Sequence, residues 1–197
     1  MAGRAPNVWP SILEARRPAV NGVGFTNCAP KKLRRMAVSV YPSTTAAVRA
    51  ATRALARRPE RLLAVFDIDS TILSRRHRRI AAVCRLLHWI KARGGTVYIV
   101  TARPEDGREE TEDTLAALGV DTAVKRLYMP PERLPSTAAV SAWKHSMRRH
   151  IARREGRPLT ISVGDNLHDL SGVPFKSVGR AALIGSRHTQ LGLLVKD

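Results

Sequence analysis

The stretch Leu62–Leu73, LLAVFDIDSTIL, decides the fold of this 197-residue chain. Its first half, Leu62, Leu63, Ala64, Val65 and Phe66, is apolar without alternation, the pattern of a strand buried on both faces. Asp67 and Asp69 follow where such a strand stops. In open α/β folds that carboxyl edge is where active sites are built. Two carboxylates at the mouth of a buried strand repel each other and lose hydration, so a compensating charge is required. A divalent cation supplies it, and the strand end becomes a candidate catalytic site.

Downstream, strands and helices alternate. After Leu62–Phe66 the spacing predicts a helix over about Arg76–Arg93, with Ile80, Val83, Leu87 and Ile90 on one face and Gly94-Gly95 as its stop. Then follow a strand at Thr96–Val100, a helix at about Pro104–Leu118 and a short strand at Val124–Tyr128. A helix at about Ser136–Arg154, a strand at Leu159–Val163 and a last strand at Ala181–Ile184 complete the series. Repeated units of this size predict a Rossmann-like α/β fold, a parallel sheet with helices on both faces. Upstream, Pro42-Ser43 opens a helix that Pro59 ends, with Val48, Ala51 and Leu55 on one stripe. The expected organisation is a basic, largely irregular extension (1–42), a helix packing on the core (43–60) and a catalytic domain (61–197).

Composition narrows the setting. A hydrophobic fraction of 44% suffices for a packed core. Cys28 and Cys84 form no framework, which suits a reducing, intracellular and most simply cytoplasmic environment. No apolar run reaches membrane-span length, and the first thirty residues hold no signal-peptide core. The net charge of +18 comes from 27 Arg and 7 Lys, a skew that a GC-rich genome also produces. Residues 1–61 hold 12 of these cations against Glu14 and Glu60. A basic N-terminus of that kind is a candidate contact for nucleic acid or another polyanion. Aromatic residues are scarce, and none is read as interleaving with the basic ones as single-strand stacking requires.

Parallel strands bring their carboxyl ends to one edge, so VFDIDST, YIVTAR and ISVGDN should converge there, with Asp67, Asp69, Thr101 and Asp165. Each signal alone is weak, because a Thr after a strand caps helices and a Gly-Asp pair makes turns. Together, in one register, they indicate a catalytic site.

These residues resemble the motifs of the haloacid dehalogenase-like (HAD) superfamily: Asp67–Thr71, Thr101, Lys144, and Gly164-Asp165 with Asp169. The likeness is closest to its class B and plant-type acid phosphatase branch, through FDIDST, VTARPEDGREETEDTL, WKHSMRR and GDNLHDL. Ser70, Ala102 and Trp143 depart from that branch's usual Glu, Gly and Tyr. The resemblance implies a Mg²⁺-dependent phosphomonoester hydrolase with Asp67 as nucleophile and an aspartyl-phosphate intermediate. It implies metal ligation by Asp67, the Asp69 backbone carbonyl and Asp165, with Asp169 orienting the lysine or a metal-bound water and counted in the metal set. Asp69 is implied as the proton carrier, which calls for an elevated pKa beside like charge. Thr71, Thr101, the Ala102 amide and Lys144 are implied around the phosphoryl group. Arg103 either reaches the substrate or only serves its helix. His168 is the one histidine near these motifs, and Glu109, Glu110, Glu112 and Asp113 read as a solvated helix face.

The spacing from Thr71 to Thr101 and on to Lys144 is used up by core elements, so no large cap domain is expected. An open site suits a phosphorylated substrate of many kinds. Two other readings remain: a phosphatase of nucleotide or nucleic-acid phosphate ends, and a non-catalytic HAD-like interaction or structural protein with a polyanion-binding tail.

Overall fold

In chain order the elements are β1 (Ala37–Val40), α1 (Thr44–Ala56), β2 (Leu63–Phe66), α2 (Ala81–Ala92), β3 (Thr96–Val100) and α3 (Arg108–Ala117). After them come β4 (Arg126–Tyr128), α4 (Thr137–Arg154), β5 (Ile161–Gly164), β6 (Ala182–Gly185) and β7 (Leu191–Leu194). They are seen in a computed structural model that describes residues 37–58, 61–170, 182–185 and 191–195. All seven strands form one sheet in the order β1-β6-β7-β5-β2-β3-β4. The five from β7 to β4 are parallel; at one edge β6 pairs antiparallel with β7, and β1 antiparallel with β6.

β2 lies at the centre of the parallel block, which is why its sequence is apolar on both faces. Ala64 and Phe66 enter one core, together with Ala51 and Leu55 of α1, Val83 and Leu87 of α2 and Leu115 of α3. Leu63 and Val65 enter the other, against Met147 and Ile151 of α4. Helices thus cover both faces, as the alternation predicts. Ser43 and Ser136 cap α1 and α4, their hydroxyls accepting from the amides of Ala46 at 3.2 Å and Ala139 at 3.1 Å. Gly94 closes α2 in the left-handed region, φ 72°.

Three differences from the sequence reading have local causes. α2 begins at Ala81, not Arg76. Residues 74–80 instead make a turn in which the Ser74 amide donates to the Arg78 carbonyl at 2.8 Å. His77 has φ 53°, which no helix accommodates, and Arg79 pairs with Leu73. Ala37–Val40, assigned to the irregular extension, is a strand paired with β6; the preceding residues 1–36 lie outside the described residues. β7 was not anticipated at all: its Leu191 and Leu193 are buried and it runs parallel to β5.

Between β2 and β5 the chain holds only α2, β3, α3, β4, α4 and short turns, so no cap domain is inserted there. Among the described residues no helix is long and apolar enough to cross a membrane. Charge is unevenly spread over the first core's helices. α1 and α2 carry Arg49, Arg53, Arg85 and Lys91 with no acidic residue, whereas α3 carries Glu109, Glu110, Glu112 and Asp113.

Candidate active site

β2 ends at Phe66, and the Asp67 amide still donates to the Val163 carbonyl of β5, at 3.0 Å. The chain then turns sharply. The Ile68 carbonyl accepts from the amides of Thr71, Ile72 and Leu73, at 3.1, 2.8 and 3.0 Å, while Ile68 and Ile72 are fully buried. Ser70 sits at φ 56°, a left-handed conformation that costs a non-glycine residue about 1 kcal/mol. This anchored turn separates the two aspartates. Asp67 points inward and is 5% exposed. Asp69 points outward, its side chain 58% exposed.

Asp67, Asp165 and Asp169 bring carboxylate oxygens within 4.8 Å of one another, from the ends of β2 and β5 and the loop beyond. Lys144 of α4 joins them: its Nζ lies 2.7 Å from Asp67 Oδ1 and 2.6 Å from Asp169 Oδ1. Burial, reinforced by the Asp169 charge, pushes the Asp67 carboxyl up to about 7 although Lys144 opposes it. For Lys144, burial works downward, yet its two carboxylate partners outweigh it and hold the ammonium above its ordinary value. Asp165 is raised as well, first by burial and then by Asp169. Three carboxylates against the Lys144 ammonium and the buried Arg148 guanidinium near Asp169 still leave excess negative charge. A hard divalent cation such as Mg²⁺, which takes oxygen ligands, fits this donor set.

The position of Asp169 depends on a glycine. A Cβ on Gly164 would fall 2.1 Å from the Asp169 Cβ, so only glycine lets that side chain lie across the end of β5. The Asn166 amide donates to Asp169 Oδ2 at 3.0 Å, and the Ser162 hydroxyl donates to the Asp169 carbonyl. His168 Nε2 is 3.8 Å from Asp169 Oδ1, and burial lowers its pKa, which favours the neutral imidazole.

The structure places the remaining sequence candidates as follows. The Asp69 carboxylate is outside the three-carboxylate cluster; its partner is Arg103, whose Nε and Nη2 donate to it at 3.0 and 2.7 Å. The expected like-charge neighbour of Asp69 is therefore replaced by a guanidinium, because the turn at Ser70 aims it away from Asp67. Thr71 is fully enclosed, and its hydroxyl points at Asp67 Oδ2, 3.5 Å away, so it braces that carboxylate. Thr101 follows β3 directly; its hydroxyl accepts from the Arg103 amide at 3.3 Å and keeps a proton to donate. Ala102 is half-buried in the same turn.

Arg148 is the residue that sequence reasoning missed. One turn beyond Lys144 on α4, it reads as a surface arginine but is 3% exposed, and its Nε has no hydrogen-bond partner. Burial pushes it down to about 10, against the attraction of Asp169. Its spacing of four from Lys144 was the available signal.

Residues 74–189 match the family described as HAD superfamily, subfamily IIIB (acid phosphatase). The Asp67–Thr71 motif lies immediately before the matched residues. No curated protein matches the sequence. Two similar solved structures are the class C acid phosphatase from Bacillus anthracis and the same enzyme with tungstate bound. The first is 18% identical with a TM-score of 0.47, covering 65% of this chain and 61% of that one. The second is 20% identical with a TM-score of 0.47, covering 68% of this chain and 64% of that one. The chain thus spans less than two thirds of either.

Proposed function

This chain belongs to subfamily IIIB of the HAD superfamily, the acid phosphatases, and from that premise we propose that it hydrolyses phosphate monoesters with Asp67 as nucleophile. The observation that carries the reading is the buried Asp67–Lys144–Asp169 ensemble at the ends of β2 and β5. An Asp67 oxygen attacks phosphorus, the bond to the ester oxygen breaks, and an aspartyl-phosphate forms. The leaving alkoxide takes a proton from Asp69. Asp69 then removes a proton from a water that attacks the phosphoryl group, which frees Asp67 and releases inorganic phosphate.

Mg²⁺ held by Asp67, Asp165 and Asp169 would offset the charge of the phosphoryl oxygens and keep Asp67 ionised. Lys144 does part of the same work from the other side, and the Thr101 hydroxyl and Ala102 amide offer donors to the phosphoryl oxygens. Arg103 has two uses in this scheme. In the resting site its bidentate grip occupies both oxygens of Asp69. A substrate phosphate competes for the guanidinium, and the exchange leaves Asp69 free to carry protons.

A non-catalytic role accounts for the ensemble poorly. Buried ion pairs seldom stabilise a fold more than apolar residues of similar volume would. The test is turnover of p-nitrophenyl phosphate with Mg²⁺ and with a chelator, for wild type and Asp67→Asn. The substitution should lower turnover by at least about 1,000-fold, and the chelator should remove wild-type activity. Equal rates for variant and wild type would exclude Asp67 as nucleophile.

A further inference from the structure

α1 and α2 pack side by side, and between them runs a groove of about 350 Å³ that shares no residue with the active site. Val48 and Leu86 line it with apolar surface, and Trp89 contributes a half-buried indole. Arg49, Arg53 and Arg85 stand on it as exposed cations. Among the described residues none of the three pairs with a carboxylate, and neither helix has an acid to offer.

The pattern extends beyond the groove. From residue 37 to 103 the chain holds thirteen Lys and Arg against Glu60, Asp67 and Asp69. Arg75, Arg76, Arg78 and Arg79 are exposed in the turn that leads into α2. Arg49 and Arg53 are four apart on one helix face, where like charges repel. A solvated helix face normally relieves that repulsion with interspersed acids; α3 does so through Arg108, Glu105 and Glu112. On α1 and α2 no acid side chain supplies that relief.

The aromatic element is also there, in space. Trp89 sits among Arg49, Arg53 and Arg85, and the Arg93 guanidinium lies 5.1 Å from its ring centroid. The guanidinium lies over the face of the indole, and guanidinium planes, like aromatic rings, are surfaces on which unpaired bases stack. A cationic groove that tracks a phosphate backbone beside such a platform is how single strands are held without sequence preference. Acidic peptides would use the charges but leave the indole unused.

We propose that the α1–α2 groove binds single-stranded nucleic acid, with Arg49, Arg53 and Arg85 on the phosphates and a base against Trp89 and Arg93. This locates polyanion binding on the folded domain, in addition to any contribution of the basic N-terminus, and it does not depend on the catalytic reading.

The experiment is fluorescence anisotropy of the full chain with a labelled deoxythymidylate strand of about 16 nucleotides, titrated across about 50–200 mM salt. Losing three phosphate contacts in R49Q/R53Q/R85Q should flatten the slope of log K against log salt by about 2, at roughly 0.7 per contact. W89A should weaken binding about tenfold and leave that slope unchanged. Melting curves for each variant show that the fold is intact, and R49K/R53K/R85K, which keeps the charges, should retain the slope. A wild-type slope in the triple Gln variant overturns the proposal. So does poly-glutamate that displaces the strand as well as unlabelled strand does at equal charge, which would make the groove a docking site for acidic protein. Loss of binding on replacing only Lys31, Lys32, Arg34 and Arg35 by alanine overturns it too.

Discussion

Asp67 and Asp69 are one residue apart, yet they occupy opposite electrostatic worlds. Asp67 is dry, braced by Thr71 and Lys144, and raised by burial; Asp69 is exposed and forked by Arg103. Their separation was not legible in DIDST, because it depends on the left-handed Ser70 and on an arginine 34 residues away. Two substitutions test this part of the site. Gly164→Ala forces a methyl group into Asp169; it should cost about 1–3 kcal/mol of stability and displace the carboxylate. Chemical denaturation and calorimetric Mg²⁺ titration would show both losses, and unchanged Mg²⁺ binding would refute the close packing. Arg148→Met removes a buried cation whose Nε is already unsatisfied. Stability should shift by no more than about 1 kcal/mol, or rise, while Mg²⁺ binds several-fold tighter because one positive charge near Asp169 is gone. The same two measurements check it.

At the scale of elements, α4 is the member that joins the two halves of the site's surroundings. It carries Lys144 inward, and its last turn ends at Glu155, which accepts from the Tyr98 hydroxyl of β3 at 2.5 Å and from Lys125 at 2.6 Å. Those hydrogen bonds, Lys125 first, hold Glu155 below the ordinary carboxyl value of 4.5. The stabilisation is therefore complete above pH 4.5 and fades as pH falls through the lower folded value. Glu155→Gln should cost about 1 kcal/mol near neutrality, with wild-type and variant melting temperatures converging in acid. Parallel melting curves across pH would find no convergence if the ion pair were idle. The strand–helix alternation was readable because period and punctuation are local properties: β2, β3, α1 and α4 fall within a few residues of their expected limits. β1 and β7 were not readable, since four-residue strands with little pattern exist by virtue of partners far along the chain. The start of α2 was misplaced because Arg75–Arg79 have helical propensity but are claimed by the turn at His77.

For the whole molecule, the parallel block sets where chemistry gathers, and the absence of any insertion between β2 and β5 leaves that edge without a cap there. The charge asymmetry on the first core's helices has a kinetic consequence. With α1 and α2 purely cationic and α3 acidic, the domain carries a dipole on top of its net charge. A polyanion approaching through solution exerts a torque as well as a pull, so collisions are biased toward one orientation before any contact forms. Stopped-flow measurements should then find that added salt slows association steeply and leaves dissociation comparatively unchanged. The arrangement of a few arginines would in that way govern how often an encounter begins facing the right way.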